Sequence, residues 1–148
     1  MKIYLCAFVL IFLMASCSKD VTVEEQLAID TQLIEDYLKT NNLTAQKTSD
    51  GIYFIIEKAG SVEKPVVTSS VTVSYTGYFL DGIVFDFADQ AKFPLFNTIV
   101  GWQKGIPKFG RGGKGRLFLP SKFAYGTSAQ PGGRTNAVLG FDIQLHDF

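Results

Sequence analysis

Hydrophobic positions change their spacing along the chain, and each change marks a segment. Ile3 to Met14 is an unbroken apolar run of 12 residues behind the basic Lys2. A spanning helix needs about 20 apolar residues, so residues 1–16 read as a secretion signal ending in the small Ala15-Ser16 and not as a stable membrane span. Residues 17–21 form a tether. Thr22 then stands three residues ahead of Glu25, where a hydroxyl and a carboxylate can satisfy the orphan amides of a first helical turn. Leu27, Ile34 and Leu38 follow on one face at helical spacing, with Asp30, Glu35, Asp36 and Lys39 on the others. The pattern predicts one amphipathic helix ending near Asn41-Asn42, within a helical segment spanning 22–48. It would pack on its own domain or act as a spacer.

After Ser49-Asp50-Gly51 the period falls to two, and residues 49–148 read as the folded domain. Ile52 to Ile56 is a β-rich run, and Val71, Val73 and Tyr75 alternate with Thr72, Ser74 and Thr76. Asp81-Gly82 separates Tyr75–Leu80 from Ile83–Phe87, which predicts a hairpin with a two-residue turn in which both residues tolerate positive φ. Arg116 to Leu119 reads as a short strand, and the alternating Ala137, Leu139, Phe141, Ile143 and Leu145 as a long final one. Between them only Gly101 to Ile106 looks helical, with Pro107 as its stop. These elements predict an α+β fold: an antiparallel sheet around one short helix, preceded by the N-terminal helix.

Composition narrows what such a fold can do. A chain of 148 residues holds one domain and a tail, and its 14 basic and 14 acidic residues cancel, so no net field gathers nucleic acid. Cys6 and Cys17 both lie in the first 17 positions, and His146 is the only imidazole. The folded part therefore lacks a thiol nucleophile, a thiolate metal site and a His-rich centre, and neither a metal nor a cofactor is expected.

Several spacings invite a reading that their context refuses. Gly110 to Gly115 reads GRGGKG and matches GxGxxG, but a strand follows where a dinucleotide site needs a helix N-terminus. Lys114 precedes Gly115 and not Ser or Thr, so the tract is not a Walker-type loop. Lys104, Lys108, Arg111, Lys114 and Arg116 form a basic stretch, expected as a solvated loop. Asp81, Asp86 and Asp89 lack the regular spacing and closing Glu of a calcium loop. A Ser-His-Asp triad would have to recruit His146 from the chain end with no GxSxG elbow present.

Aromatic residues are in excess, at 14% of the chain with 13 Phe, one Trp and six Tyr. That is more ring bulk than one small core needs, and a concave aromatic pocket is one use for it. The segments VTVSYTGYFLDGIVFD, IVGWQKGI, FAYG and LGFDIQL, in that order, resemble the FKBP-type peptidyl-prolyl cis/trans isomerases over about 49–148. The resemblance implies a twisted antiparallel sheet wrapped around a short helix. It further implies that Tyr75, Phe85, Asp86, Trp102, Tyr125 and Phe141 carry the catalytic pocket, and that Phe93, Thr98, Ile99 and Ala124 contact substrate. Asp86 would accept a hydrogen bond, with Tyr75 as the expected donor, while Ile99 N–H and the Tyr125 hydroxyl hold flanking carbonyls.

The implied partners are X-Pro polypeptides, with a monomer as the working unit. Gly132-Gly133-Arg134-Thr135 replaces the apolar residue and Pro-rich turn frequent in the family, so macrolide ligands are expected to bind with reduced affinity. The Met14 to Cys17 tetrapeptide resembles a bacterial lipoprotein lipobox, which implies lipidation of Cys17 and a membrane anchor. Ser18 after it resembles the sorting signal of outer-membrane lipoproteins. Two functions remain open: an active isomerase of exported proteins, and a proline-binding chaperone or interaction module with little turnover.

Overall fold

The computed structural model describes residues 21–129 and 133–148. The signal segment and Cys17 lie outside the described residues. Helix α1, Val23–Thr40, starts as its sequence predicts: Glu25 N–H donates to the Thr22 hydroxyl, and Thr22 N–H donates to the Glu25 carboxylate. Asn41 caps the other end, and Asn42 turns the chain away with φ 53°. Ile34 and Leu38 are buried as expected. Asp30, read from the sequence as lying on another face than these, is buried too.

Six strands follow, all antiparallel: β1 Gln46–Lys47, β2 Tyr53–Lys58, β3 Ser70–Phe79, β4 Val84–Pro94, β5 Gly113–Leu119 and β6 Leu139–Asp147. Their order across the sheet is β1-β2-β5-β6-β3-β4. A short helix α2, Val100–Gly105, lies between β4 and β5, and a 3₁₀ turn, Ile106–Lys108, takes over from it and carries Pro107. Six residues are too few for a self-sustaining helix, so α2 depends on packing. Gly101 and Gly105, one turn apart, let it lie directly on the Leu119 and Leu117 side chains, where a Cβ at either glycine would collide.

Both faces of the sheet are used. Val73, Trp102, Phe109, Leu117, Leu119, Phe141 and Ile143 belong to the main core on the α2 side. Tyr53, Tyr78, Phe118 and Val138 form a second cluster on the other side, closed by Ile34 and Leu38 of α1. The continuous Leu117-Phe118-Leu119 run follows from this: a strand covered on both faces needs no polar alternation.

The hairpin between β3 and β4 differs from the expected two-residue turn. Gly82 N–H donates to Phe79 C=O at 2.8 Å and Phe79 N–H to Ile83 C=O at 2.9 Å, which leaves a three-residue loop with positive φ at Gly82 alone. Asp81 stays in ordinary backbone space and accepts from Ile83 N–H through its side chain. β4 also runs to Pro94, well past Phe87. Bulges between Val73 and Tyr75 and between Gly77 and Tyr78 disturb its register against β3, and Gln90 sits at φ 48°.

Candidate active site

A cavity of about 370 Å³ opens between α2 and the concave face of the sheet. Ten residues line it: Tyr75, Phe85, Asp86, Phe93, Asn97, Thr98, Ile99, Trp102, Tyr125 and Phe141. Tyr75 comes from β3, Phe85, Asp86 and Phe93 from β4, and Phe141 from β6. The segment leading into α2 supplies Asn97, Thr98 and Ile99, and Tyr125 follows the 3₁₀ turn Ser121–Phe123.

Trp102 lies at the floor, 5% exposed, with three rings packed on it. Tyr75 meets it edge-on at 4.9 Å and 89°, Phe141 at 5.3 Å and 82°, and Phe93 lies tilted at 5.6 Å. Phe85 closes the wall edge-on to Phe141 at 5.8 Å. Edge-to-face contacts place the positive rim of one ring on the negative face of another and so fix each plane. Trp102 Nε1 is buried with no hydrogen-bond partner among the described residues. An unmet buried donor is rare enough in folded proteins to mark a place of interest.

Two hydroxyls face this apolar floor. Tyr75 Oη donates to Asp86 Oδ2 at 2.8 Å. Its pKa is pushed up to about 12, by burial first and then by the hydrogen bond to Asp86, which favours the protonated phenol. Tyr125 stands at the rim, 42% exposed, and burial together with the Asp86 charge raises its pKa also. The lip at Thr98 is braced from below: its hydroxyl donates to Leu95 C=O at 2.7 Å, and Gln103 Nε2 donates to Thr98 C=O at 2.8 Å. Ile99 is the N-cap residue of α2, and its carbonyl accepts from Trp102 and Gln103 N–H. The site can therefore enclose a compact apolar ring on aromatic faces and hold polar groups at its edge. It carries no nucleophile of the Ser-His or Cys-His kind.

Nine of the ten residues proposed from the sequence line this one cavity. Ala124 does not; it caps the Ser121–Phe123 turn and packs against the main core. Asn97 lines the cavity without having been singled out, and its place beside Thr98 was the available signal. His146 lies elsewhere, with Nε2 2.6 Å from the Ser74 hydroxyl, which donates to Asp89 at 2.6 Å and accepts from Gln90 N–H. The three neighbouring acids, refused as a calcium loop on their spacing, are separately engaged, Asp81 with Arg134, Asp86 with Tyr75 and Asp89 with Ser74. The basic stretch is not simply solvated, since Lys104 pairs with Asp50, Arg111 with Asp147, and Arg116 with Glu57 and Asp142. GRGGKG turns directly into β5, with no helix behind it.

An antiparallel sheet packed around a short helix, with an indole floor and a Tyr–Asp pair on the wall, is an α+β fold with one aromatic cavity, and its likeness to known proteins names the class. The family model for FKBP-type peptidyl-prolyl cis-trans isomerases matches residues 61–146, more than half of the chain. The chain belongs to that family. It is 39% identical over 117 residues to the FKBP-type peptidyl-prolyl cis-trans isomerase FkpA of Aeromonas hydrophila, covering 75% of this chain and 44% of that protein. Against FkpA of Escherichia coli K12 the figures are 35% over 104 residues, 68% and 38%. The chain thus spans about two fifths of the length of these curated relatives. The crystal structure of E. coli FkpA superposes with a TM-score of 0.72 at 30% identity, covering 84% of this chain and 61% of that one. A peptidyl-prolyl cis-trans isomerase from Pseudomonas syringae pv. tomato gives 0.70 at 27% identity, covering 87% and 97%.

Proposed function

We propose that this protein is a peptidyl-prolyl cis/trans isomerase that accelerates X-Pro bond rotation in exported or membrane-associated polypeptides. The observation that carries the reading is the aromatic cup: four rings packed around and beside Trp102, with the Tyr75–Asp86 pair and Tyr125 at its edge. Rotation about an X-Pro bond must break amide resonance across about 18–20 kcal/mol, and unaided it takes tens to hundreds of seconds. The twisted amide is less charge-separated than the planar one, so a dry apolar cavity favours it over the ground state. Trp102, Phe141, Tyr75 and Phe85 enclose the proline ring. Ile99 N–H and the Tyr125 hydroxyl orient the flanking carbonyls. Asp86 holds Tyr75 in place and shapes the wall facing the reacting carbonyl, and no proton moves between enzyme and substrate.

We further take residues 49–148 as the isomerase domain and 22–48 as its helical support. All cup residues come from one chain, so a monomer suffices. Cys17 is read as a lipid anchor placing the protein in the cell envelope of a bacterium, at the outer membrane. Macrolides would bind weakly, because Arg134 is drawn to Asp81 and stacked over Phe79, at 4.1 Å from the ring centre, where the family often presents an apolar contact. The second reading, a proline-binding chaperone with little turnover, draws on that same altered loop. A short Leu-Pro or Phe-Pro peptide separates the two. Saturable change in Trp102 fluorescence together with catalysed isomerisation supports the enzyme, and Phe85→Ala should weaken both by about tenfold, the scale of 1.4 kcal/mol of lost contact. Binding without turnover would leave the chaperone, and no fluorescence change at saturating peptide would remove the cup from both.

A further inference from the structure

The loop carrying Tyr125 is fastened from outside the cup, by a carboxylate that lies ahead of the residues matched by the family model. Asp30, in the second turn of α1, is fully buried. Its Oδ2 accepts from both the N–H and the hydroxyl of Ser121, at 2.7 and 2.6 Å, and its Oδ1 accepts from Gln26 Nε2 at 2.8 Å. A buried carboxylate is tolerated only where such donors replace its lost water, and bonds to a charged acceptor are short and directional. Two of the three donors belong to Ser121, so the carboxylate selects one position for that residue. Ser121, 1% exposed, passes the constraint on: its carbonyl accepts from Ala124 N–H at 3.0 Å and from Gly126 N–H at 2.9 Å. These two amides flank Tyr125 on either side.

We infer that Asp30 is a positioning residue for the site: it fixes Ser121, Ser121 fixes the peptide units around Tyr125, and the Tyr125 hydroxyl is thereby held at the rim of the cavity. Helix α1 is then part of the working domain and not only a spacer. The kinetic consequence rests on the isomerase reading given above, whereas the positioning itself is readable in the loop.

A double-mutant cycle on the full chain tests it. Asp30→Ala should lower kcat/KM on an X-Pro peptide by about three- to tenfold, the factor expected for one hydrogen bond lost from the orienting set. Tyr125→Phe should cost a similar factor in the parent chain but less than about twofold on top of Asp30→Ala, since both changes remove one function. Asp30→Asn, which keeps an acceptor oxygen of the same size, should recover most of the loss. In parallel, the Ala124 and Gly126 amide resonances should shift in Asp30→Ala and return in Asp30→Asn. Full multiplication of the two losses, or folded Asp30→Ala with both resonances unmoved, would overturn the inference. If the parent chain turns over no X-Pro peptide, the isomerase reading fails and the amide resonances alone decide the role of Asp30. If Asp30→Ala does not fold, Ser121→Ala, which removes one of the two donors, carries the same comparisons.

Discussion

Tyr75 sits edge-on to the Trp102 indole and donates a hydrogen bond to Asp86, and burial together with that bond holds its phenol protonated. A free tyrosine ionises near 10. Held up to about 12, mainly by burial, Tyr75 is a neutral donor throughout the physiological range and unsuited to general-base work. His146, the one imidazole in the chain, is bonded to Ser74 away from the cavity. Turnover should therefore be nearly flat from about pH 6 to pH 8, around the unperturbed His value of 6.5. His146→Gln should change it little, and Asp86→Asn should lower it moderately without introducing a new pH dependence. A bell-shaped profile that vanishes in either variant, with folding intact, would show a proton in flight. The alkaline side follows from linkage: the native state holds the Tyr75 proton above the pH at which the unfolded chain releases it. The stability from this group is complete below about pH 10 and is lost as pH rises toward 12, so the denaturant midpoint should fall across that window.

At the level of elements, β3 runs behind two walls of the cup, and Gly77 is its tightest point. A Cβ there would lie 2.7 Å from Phe85 Cζ and 2.9 Å from Phe141 Cε1, closer than real carbon contacts allow. Gly77→Ala must push two cup walls apart or shift the strand, and overpacking of this kind costs about 1–3 kcal/mol. The expected result is a folded protein with a lower melting temperature and weaker peptide-induced quenching of Trp102. An unchanged peptide affinity would mean that neither ring bounds the binding site. Elements like this were legible in the sequence where one face is buried and the period is regular: the capped start of α1, the Val71–Tyr75 alternation, the long β6. The start of β4 was legible as the return strand of the hairpin, but its run beyond Phe87 to Pro94 was not, because it is an edge strand, exposed along most of its length and bulged against β3, so no alternation survives there in its sequence. Asp30 shows a different blindness. Its polar neighbours in α1 suggest a solvated face, and its partner Ser121 lies 91 residues away, a distance that no local pattern bridges.

Across the whole molecule the sheet is the divider, with α2 and the cavity on one face and α1 on the other. The tether sets how far this body could stand from a membrane if Cys17 is its anchor. Five Cα–Cα steps, through four intervening residues, separate Cys17 from the cap residue Thr22. Fully extended they reach about 18 Å at roughly 3.5 Å per residue, less than the thickness of a small domain. An anchored protein would thus hold its cup beside the bilayer and meet X-Pro segments emerging at that surface before those diffusing in solution. A single acyl chain binds membranes only marginally, so durable anchoring requires more than one chain on the same cysteine. The proposal predicts that cells fed labelled fatty acid incorporate label into the parent chain and that Cys17→Ser abolishes it. The Ser variant should also move from the membrane to the soluble fraction, while keeping its far-ultraviolet circular dichroism and its peptide-dependent Trp102 signal. Equal labelling and equal membrane fractionation in the two chains would remove the anchor and, with it, the argument that the tether selects clients at the bilayer surface.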